Sequence, residues 1–320
     1  MKICHILIWV VASALILPVI VFSETSSSQS SGSESIPISD YKVIQWAIKG
    51  MSLASCFGNN TSCDEAIKYL DMVINSYPNS AASWAYKGNA LNYHRKYDEA
   101  MQCYNNAIEL DPNITVAWTG KGEILDKEGK HDEAMQCFDK VIAQCPSCLD
   151  AVYYKFQDLY QRGMYNESIE LCKKALAKEP RAGSIWTDEG MALAKQGKYD
   201  EAIKCFERDV ELYPKYADWP LLNEGNALRA QGKYDEAIKT YDKVIGMDPK
   251  NASAAWDNKT ITLNIQGKYS EALQASDRAI GLQPNYAEGW HNRGKVLKSL
   301  GRTQESDAAF AKAKELGYTN

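Results

Sequence analysis

Residues 197–204 read GKYDEAIK, residues 232–239 repeat those letters, and residues 267–273 read GKYSEAL. The three phrases begin 35 residues apart. Prolines recur at nearly the same interval, 34 or 35 residues, along most of the chain: Pro78, Pro112, Pro146, Pro180, Pro214, Pro249 and Pro284. Self-similarity with a period of this length indicates an array built by stacking one short helical unit.

Within most intervals the same residue types return at the same distance from the proline. The unit after Pro180 carries Trp186, Gly190, Leu193, Gly197, Tyr199, Ala202 and Phe206. Small residues such as Gly190 and Ala202 are expected where two helices touch. The glycine of each GKY phrase is expected to end a first helix, where a positive φ is needed. The acidic pair that follows favours the start of the second helix, because negative charge stabilises the N-terminal end of a helix dipole.

These residues resemble the tetratricopeptide repeat family over about residues 47–318. The resemblance implies an all-α fold, a right-handed superhelical solenoid of stacked antiparallel helix pairs. The positions of the recurring residues predict seven repeats over residues 81–320. These repeats begin near Ala81, Thr115, Leu149, Gly183, Asp218, Ser253 and Ala287. A degenerate N-terminal repeat is predicted over residues 41–80, since terminal repeats of a solenoid are usually atypical.

Two repeats depart from the common pattern. In the third, Val152, Phe156 and Ser168 replace the usual tryptophan, glycine and alanine. The fourth carries Asp209 where a small buried alanine is normal. The two 35-residue proline intervals predict one-residue insertions before Asp218 and Ser253.

The N-terminal segment does not follow the repeat pattern. Lys2 precedes an apolar run from Ile6 to Phe22, so residues 1–23 are predicted to be a signal peptide or an uncleaved membrane anchor. Residues 24–40 are rich in Ser and Gly, which predicts a flexible linker. Both alternatives place the repeats outside the cytoplasm, secreted or anchored to the outer face of the cell membrane. The net charge of −5 and the lack of a basic patch argue against a nucleic-acid partner.

The cysteines indicate structural rather than catalytic roles. Cys56 and Cys63 flank the turn of the degenerate repeat and are candidates for a disulfide. Cys145 and Cys148 have C-x-x-C spacing, but they fall in a loop between helices. A structural disulfide or two free thiols are therefore the interpretations, and a thiol–disulfide enzyme is a remote alternative. A further three cysteines share one position of second helices and are expected to pack as small buried residues: Cys103, Cys137 and Cys205.

No other catalytic, metal or cofactor motif is predicted. The three histidines beyond the N-terminal segment, His94, His131 and His291, lie in different repeats, and none pairs with a cysteine at ligand spacing. The recurring acidic pairs are explained as helix starts. We therefore expect that the protein is not an enzyme and that it holds no cofactor and no metal.

The family resemblance also implies a concave surface lined by the first helices. Asn223, Asn258 and Asn292 occupy one position in three successive repeats. They resemble the asparagine ladder of O-linked N-acetylglucosamine transferases, which holds an extended peptide backbone, although the resemblance covers the repeats alone and no catalytic domain is expected. Further candidates for the groove are two asparagines and four aromatic residues: Asn89, Asn226, Tyr93, Tyr153, Tyr160 and Trp219. The alternative is that these asparagines are simply solvated.

The sequence therefore predicts a protein–protein interaction module. We expect an extracytoplasmic adaptor or scaffold that binds a partner protein or an extended peptide in its groove. The alternative is a structural array that self-associates at the cell envelope through its terminal repeat.

Overall fold

The chain folds into helices. The computed structural model describes residues 38–54 and 60–319, and the regular elements in those ranges are all helical. The chain divides into two compact units, Met1–Asp158 and Leu159–Asn320. The helices up to the boundary are α1 (Ile38–Ala54), α2 (Asn60–Ser76), α3 (Ala81–Tyr93), α4 (Tyr97–Leu110), α5 (Thr115–Lys127), α6 (His131–Gln144) and α7 (Leu149–Gln161), which crosses it.

The second unit continues the alternation. It contains α8 (Tyr165–Lys178), α9 (Gly183–Lys195), α10 (Tyr199–Leu212), α11 (Asp218–Ala230), α12 (Tyr234–Met247), α13 (Ser253–Ile265), α14 (Tyr269–Leu282), α15 (Ala287–Ser299) and α16 (Thr303–Glu315). From α3 onward, the odd-numbered helices begin at the seven residues where the phase places the repeats. Within each unit, the fold is the predicted all-α solenoid of stacked helix pairs.

The N-terminal predictions fall mostly outside the described residues. This holds for the signal peptide or anchor at residues 1–23 and for residues 24–37 of the linker. Helix α1 begins at Ile38, two residues before the predicted end of that linker. Among the described helices, none is both long and apolar enough to cross a membrane.

Glycines end most of the first helices, as the GKY phrases predict. Six of them adopt φ between 73° and 80° in the turn to the second helix: Gly129, Gly163, Gly197, Gly232, Gly267 and Gly301. In the fourth repeat, the N–H of Lys198 donates to the Leu193 carbonyl at 3.0 Å and that of Gly197 to Ala194 at 3.0 Å. These bonds satisfy the last carbonyls of α9. In the first repeat, Arg95 takes the same position with φ 59°.

In five of the seven repeats, the glycine inside the first helix makes room for an aromatic ring. A Cβ atom on Gly190 would lie 2.6 Å from Cε1 of Phe206, and one on Gly225 would lie 2.4 Å from Cε1 of Tyr241. The sequence predicted close helix contact at these glycines, and the structure identifies the ring as the contacting group. In the sixth repeat the ring position holds a serine and the glycine position a threonine, so the volume is divided differently between the two helices.

The conserved spacing between proline and tryptophan also has a structural basis. The indole N–H donates to the carbonyl of the proline six residues earlier in four repeats, at 2.8–3.0 Å: Trp84 to Pro78, Trp118 to Pro112, Trp186 to Pro180 and Trp290 to Pro284. The predicted insertions lengthen this connection. One forms a 3-10 helix, Pro214–Tyr216, and the other delays the start of α13 to the fourth residue after Pro249.

Candidate functional site

Three asparagines form the surface that we call the asparagine row: Asn223 on α11, Asn258 on α13 and Asn292 on α15. All three are half-buried. They come from successive first helices of the second unit, so the phase of the repeat places them at equivalent positions. Whether they can bind a peptide depends on which atoms of each amide the chain itself already uses.

Each amide of the asparagine row uses one of its two ends inside the protein. Asn223 donates through Nδ2 to the carbonyl of Trp219 at 2.9 Å. Asn258 accepts through Oδ1 from Arg229 Nη1 at 3.0 Å. Asn292 donates through Nδ2 to Asp257 Oδ2 at 2.9 Å. These bonds orient the three side chains.

The other end of each amide has no hydrogen-bond partner among the described residues. Along the row these ends are Oδ1 of Asn223, Nδ2 of Asn258 and Oδ1 of Asn292, an acceptor, a donor and an acceptor. A peptide backbone offers both N–H donors and carbonyl acceptors. The row therefore keeps half of the hydrogen-bonding capacity that the sequence predicts, with the polarity of each position set by its internal partner.

The carboxyl group of Asp257 supports the last two members of the row. It is buried, and burial raises its pKa. The N–H donated by Asn292 and the charge of Arg229 oppose that shift by favouring the carboxylate. Because Arg229 also binds Asn258, one buried carboxyl group and one guanidinium hold both amides.

Asn89 and Asn226 have a different first role. Their Oδ1 atoms accept from the hydroxyls of the buried Tyr104 and Tyr241 at 2.8 and 3.0 Å. Where the second helix carries phenylalanine instead, the first-helix position holds other residues: Glu123, Met191 and Lys295. A buried hydroxyl needs a partner, and an asparagine fifteen residues before a buried tyrosine is the sequence signal for this pairing.

The predicted aromatic contacts are distributed over both units. In the first unit, Tyr153 is 47% exposed. In the second, Trp219 is 53% exposed at the start of α11, and Tyr160 contacts Tyr165 edge-on with ring centroids 5.6 Å apart. Trp219 is thus the aromatic candidate that is both largely exposed and four residues from a member of the asparagine row.

The first unit contains a cleft of about 310 Å³, which we call the tyrosine cleft. It is lined by Asn89, Asn92, Tyr93, Arg95, Tyr97, Glu123, Lys127 and Tyr154. The sequence singled out two of these residues, Asn89 and Tyr93, as groove candidates. The others were missed because the repeat pattern does not show which side chains of different helices meet in one cleft.

The tyrosine cleft is polar and carries an uncommitted cation. Glu123 pairs with Lys127 at 2.6 Å and accepts from Asn92 at 3.0 Å. Arg95 makes no ion pair among the described residues, and its positive φ is strained for a residue with a side chain. The cleft therefore combines tyrosine rings with one free guanidinium.

The fourth repeat has buried carboxyl groups in place of neutral residues. Asp209 accepts from the Thr187 hydroxyl at 2.6 Å, and Gly183 makes space for it, since a Cβ there would lie 2.2 Å from Asp209 Oδ1. Asp188 takes the asparagine-row position one repeat earlier and is 6% exposed. Burial and then the charge of Asp209 raise the pKa of Asp188 to about 7.

Among the described residues, the cysteines include one disulfide pair and several buried thiols. Cys145 and Cys148 form a disulfide with Cα atoms 5.3 Å apart, the first of the two interpretations for this motif. Burial raises the pKa of Cys103 to about 11 and that of Cys205 to about 12, which suppresses the nucleophilic thiolate. The Cys56–Cys63 pairing stays a prediction because Cys56 lies outside the described residues; the Cys63 side chain is buried.

Comparison with known protein families identifies the repeat. Models of the tetratricopeptide repeat match residues 51–80, 81–114, 103–136, 181–250 and 287–316, and a further TPR repeat model matches residues 262–301. The chain therefore belongs to the tetratricopeptide repeat family, as the sequence predicted. A comparison with curated proteins found no match.

Solved structures share the fold at low sequence identity. The APC/C hetero-tetramer Cut9–Hcn1 contains a chain that is 16% identical with a TM-score of 0.62, over 79% of this chain and 48% of that one. The chain thus spans about half the length of that relative. The C-terminal part of a TPR repeat-containing protein from Cytophaga hutchinsonii is 19% identical with a TM-score of 0.55, over 73% and 95% of the two chains. These likenesses show the fold, and tetratricopeptide repeats make the chain a protein–protein interaction scaffold.

Proposed function

We propose that the protein is an extracytoplasmic adaptor that binds an extended peptide segment of a partner protein along the asparagine row. The observation that carries the proposal is the alternation of uncommitted amide ends at Asn223, Asn258 and Asn292. A row of amides hydrogen-bonds to backbone groups rather than to side chains. It therefore suits an extended partner segment, whose backbone N–H and C=O groups are not already paired in a helix or sheet.

The exposed ring of Trp219 supports this site. An indole beside hydrogen-bonding groups supplies apolar contact area of the kind that dominates binding energy in protein interfaces. The segment would contact the ring through an apolar side chain while its backbone meets the amides. The proposed peptide site therefore consists of the Trp219 ring and the amides of Asn223, Asn258 and Asn292.

The location outside the cytoplasm is part of the proposal. It is supported by the apolar run from Ile6 to Phe22 and by the Cys145–Cys148 disulfide, since disulfides persist in oxidising compartments. N-terminal sequencing of the protein recovered from its native cell tests the first point. A new N-terminus near residue 24 would show that the segment is removed during export.

Replacement of the asparagine row by alanine tests peptide binding. Peptides are first selected from a random displayed library on the wild-type chain, and their affinity is then measured by fluorescence polarisation. Each lost hydrogen bond removes about 1 kcal/mol, so the triple variant should bind roughly a hundredfold more weakly. The matched control replaces three asparagines outside the row: Asn105, Asn113 and Asn166.

Two outcomes separate the alternatives. Unchanged affinity in a triple variant with a wild-type circular dichroism spectrum rejects the asparagine row. A parallel variant, Arg95→Gly, removes the free guanidinium of the tyrosine cleft. Glycine is the residue at this position in the turns of the six other repeats, so the variant is expected to fold. Loss of binding in this variant alone would assign the peptide to that cleft instead.

A further inference from the structure

Three metal-ligating side chains converge in the first unit, and we call them the His131 cluster. The Nδ1 atom of His131 lies 2.9 Å from Asp126 Oδ1 and 2.6 Å from Asp158 Oδ1. One ligand atom from each side chain falls within 4.8 Å of the others. The three residues come from the end of α5, the first residue of α6 and the last part of α7.

Comparison among the repeats shows that this convergence is specific to one place. The position of Asp158 holds an aliphatic residue or threonine, buried in each case, in the other six repeats: Ala90, Ile124, Ala192, Ala227, Thr262 and Val296. The position of His131 holds tyrosine in five of the six repeats other than its own. A buried carboxyl group and an imidazole thus replace aliphatic, threonine and tyrosine side chains. Because packing does not explain either change, their meeting at one point indicates a chemical role.

The donor set suits a divalent transition metal. Imidazole nitrogen and carboxylate oxygen both bind Zn²⁺ at about 2.0–2.2 Å, and three protein ligands leave a fourth position for water. Ligand atoms around a tetrahedral ion of this size lie roughly 3.4 Å apart. The His131 cluster therefore needs to open by less than about 1 Å to admit the ion.

The burial of the three groups shows which of them would move. The side chain of Asp158 is fully buried, whereas that of His131 is 43% exposed. His131 begins a helix, so its imidazole can shift without disturbing α6. The exposed imidazole is therefore the group that would move outward to admit an ion, while the buried carboxylate keeps its position.

We propose that Asp126, His131 and Asp158 bind a divalent transition-metal ion of the Zn²⁺ class, with water completing the coordination. The bound ion joins α5, α6 and α7 of the first unit. The proposal is independent of peptide binding, since the His131 cluster shares no residue with the asparagine row or with the tyrosine cleft.

Titration of the full chain with ZnCl₂ tests the proposal. The protein is treated with chelator and dialysed, and binding is followed by calorimetry and by competition with a chromophoric chelator. One Zn²⁺ per chain is expected. The variants His131→Tyr and Asp158→Ala should weaken that binding by at least about tenfold, because each removes one of only three protein ligands.

These variants also keep the test interpretable. Tyrosine and alanine are the residues that other repeats carry at the same positions, so both variants are expected to fold. His291→Tyr, which removes a histidine from the second unit, serves as the matched control and should bind like the wild type. Zinc-edge X-ray absorption should show nitrogen and oxygen neighbours without sulfur. Absence of stoichiometric binding, binding that survives both variants, or a sulfur shell would overturn the proposal.

Discussion

The buried carboxyl group of Asp188 predicts an unusual dependence of stability on pH. Its pKa lies at about 7 in the folded chain, against an ordinary value of 3.8. The folded state therefore binds this proton more tightly than the unfolded state does. The resulting stability is complete below about pH 4 and is lost as the pH rises to about 7, the opposite of the usual behaviour of a paired carboxylate.

The magnitude follows from the shift in pKa. Each pH unit between the two pKa values changes the free energy of unfolding by about 1.4 kcal/mol. Between pH 5 and pH 8, loss of the proton from Asp188 should lower the stability of the fourth repeat by roughly 2–3 kcal/mol. The variant Asp188→Asn removes the titrating group and introduces the residue that the next three repeats carry at this position: Asn223, Asn258 and Asn292.

Urea denaturation of the wild type and of Asp188→Asn at pH 5 and pH 8 measures the effect. Other buried carboxyl groups also titrate, so the quantity to compare is the difference between the two proteins at each pH. We expect the variant to gain roughly 2–3 kcal/mol relative to the wild type when the pH is raised from 5 to 8. A difference that does not change with pH would refute the reasoning, because Asp188 would then titrate alike in the folded and unfolded chains.

Two further predictions concern packing and thiol chemistry. Gly190→Ala should lower the free energy of unfolding by about 1–3 kcal/mol, because its Cβ would meet Phe206. Gly281→Ala, whose Cβ would have no atom within 4 Å, should raise the free energy of unfolding by roughly 0.5–1 kcal/mol. Urea denaturation measures both variants, and equal effects would contradict the packing argument. Cys103 and Cys205 should resist iodoacetamide at pH 8 until urea unfolds the chain, since burial raises the pKa of both thiols. Mass spectrometry of labelled peptides checks this, and rapid labelling of either cysteine in the folded protein would contradict it.

The repeat boundaries could be predicted because they depend on local chemistry. The first helices begin where the period of the prolines places them, and the six turn glycines adopt the positive φ that the GKY phrases require. The inserted residues before Asp218 and Ser253 were also readable from the two longer intervals. Each of these features is decided by neighbours close in sequence, or by the same contact repeated in every unit.

The partners of the groove residues could not be predicted in the same way. The asparagine row was found from the phase, but the pattern did not show that Arg229 and Asp257 each use one end of an amide. These bonds join residues 29 and 35 positions apart and occur once each. A repeat pattern averages over units, so it carries no information about a bond that only one unit makes.

The sequence by itself determined that this protein is a stack of tetratricopeptide repeats, where each repeat starts and which residues share a position on the first helices. The periodicity of the sequence suffices for this because most repeats make the same packing contacts with the same residue types. Only the tertiary structure decided which atoms remain available, that Asn89 and Asn226 serve buried tyrosines, and that Asp126, His131 and Asp158 meet at one point. Those outcomes depend on side chains from different helices, whose distances follow from the packed fold.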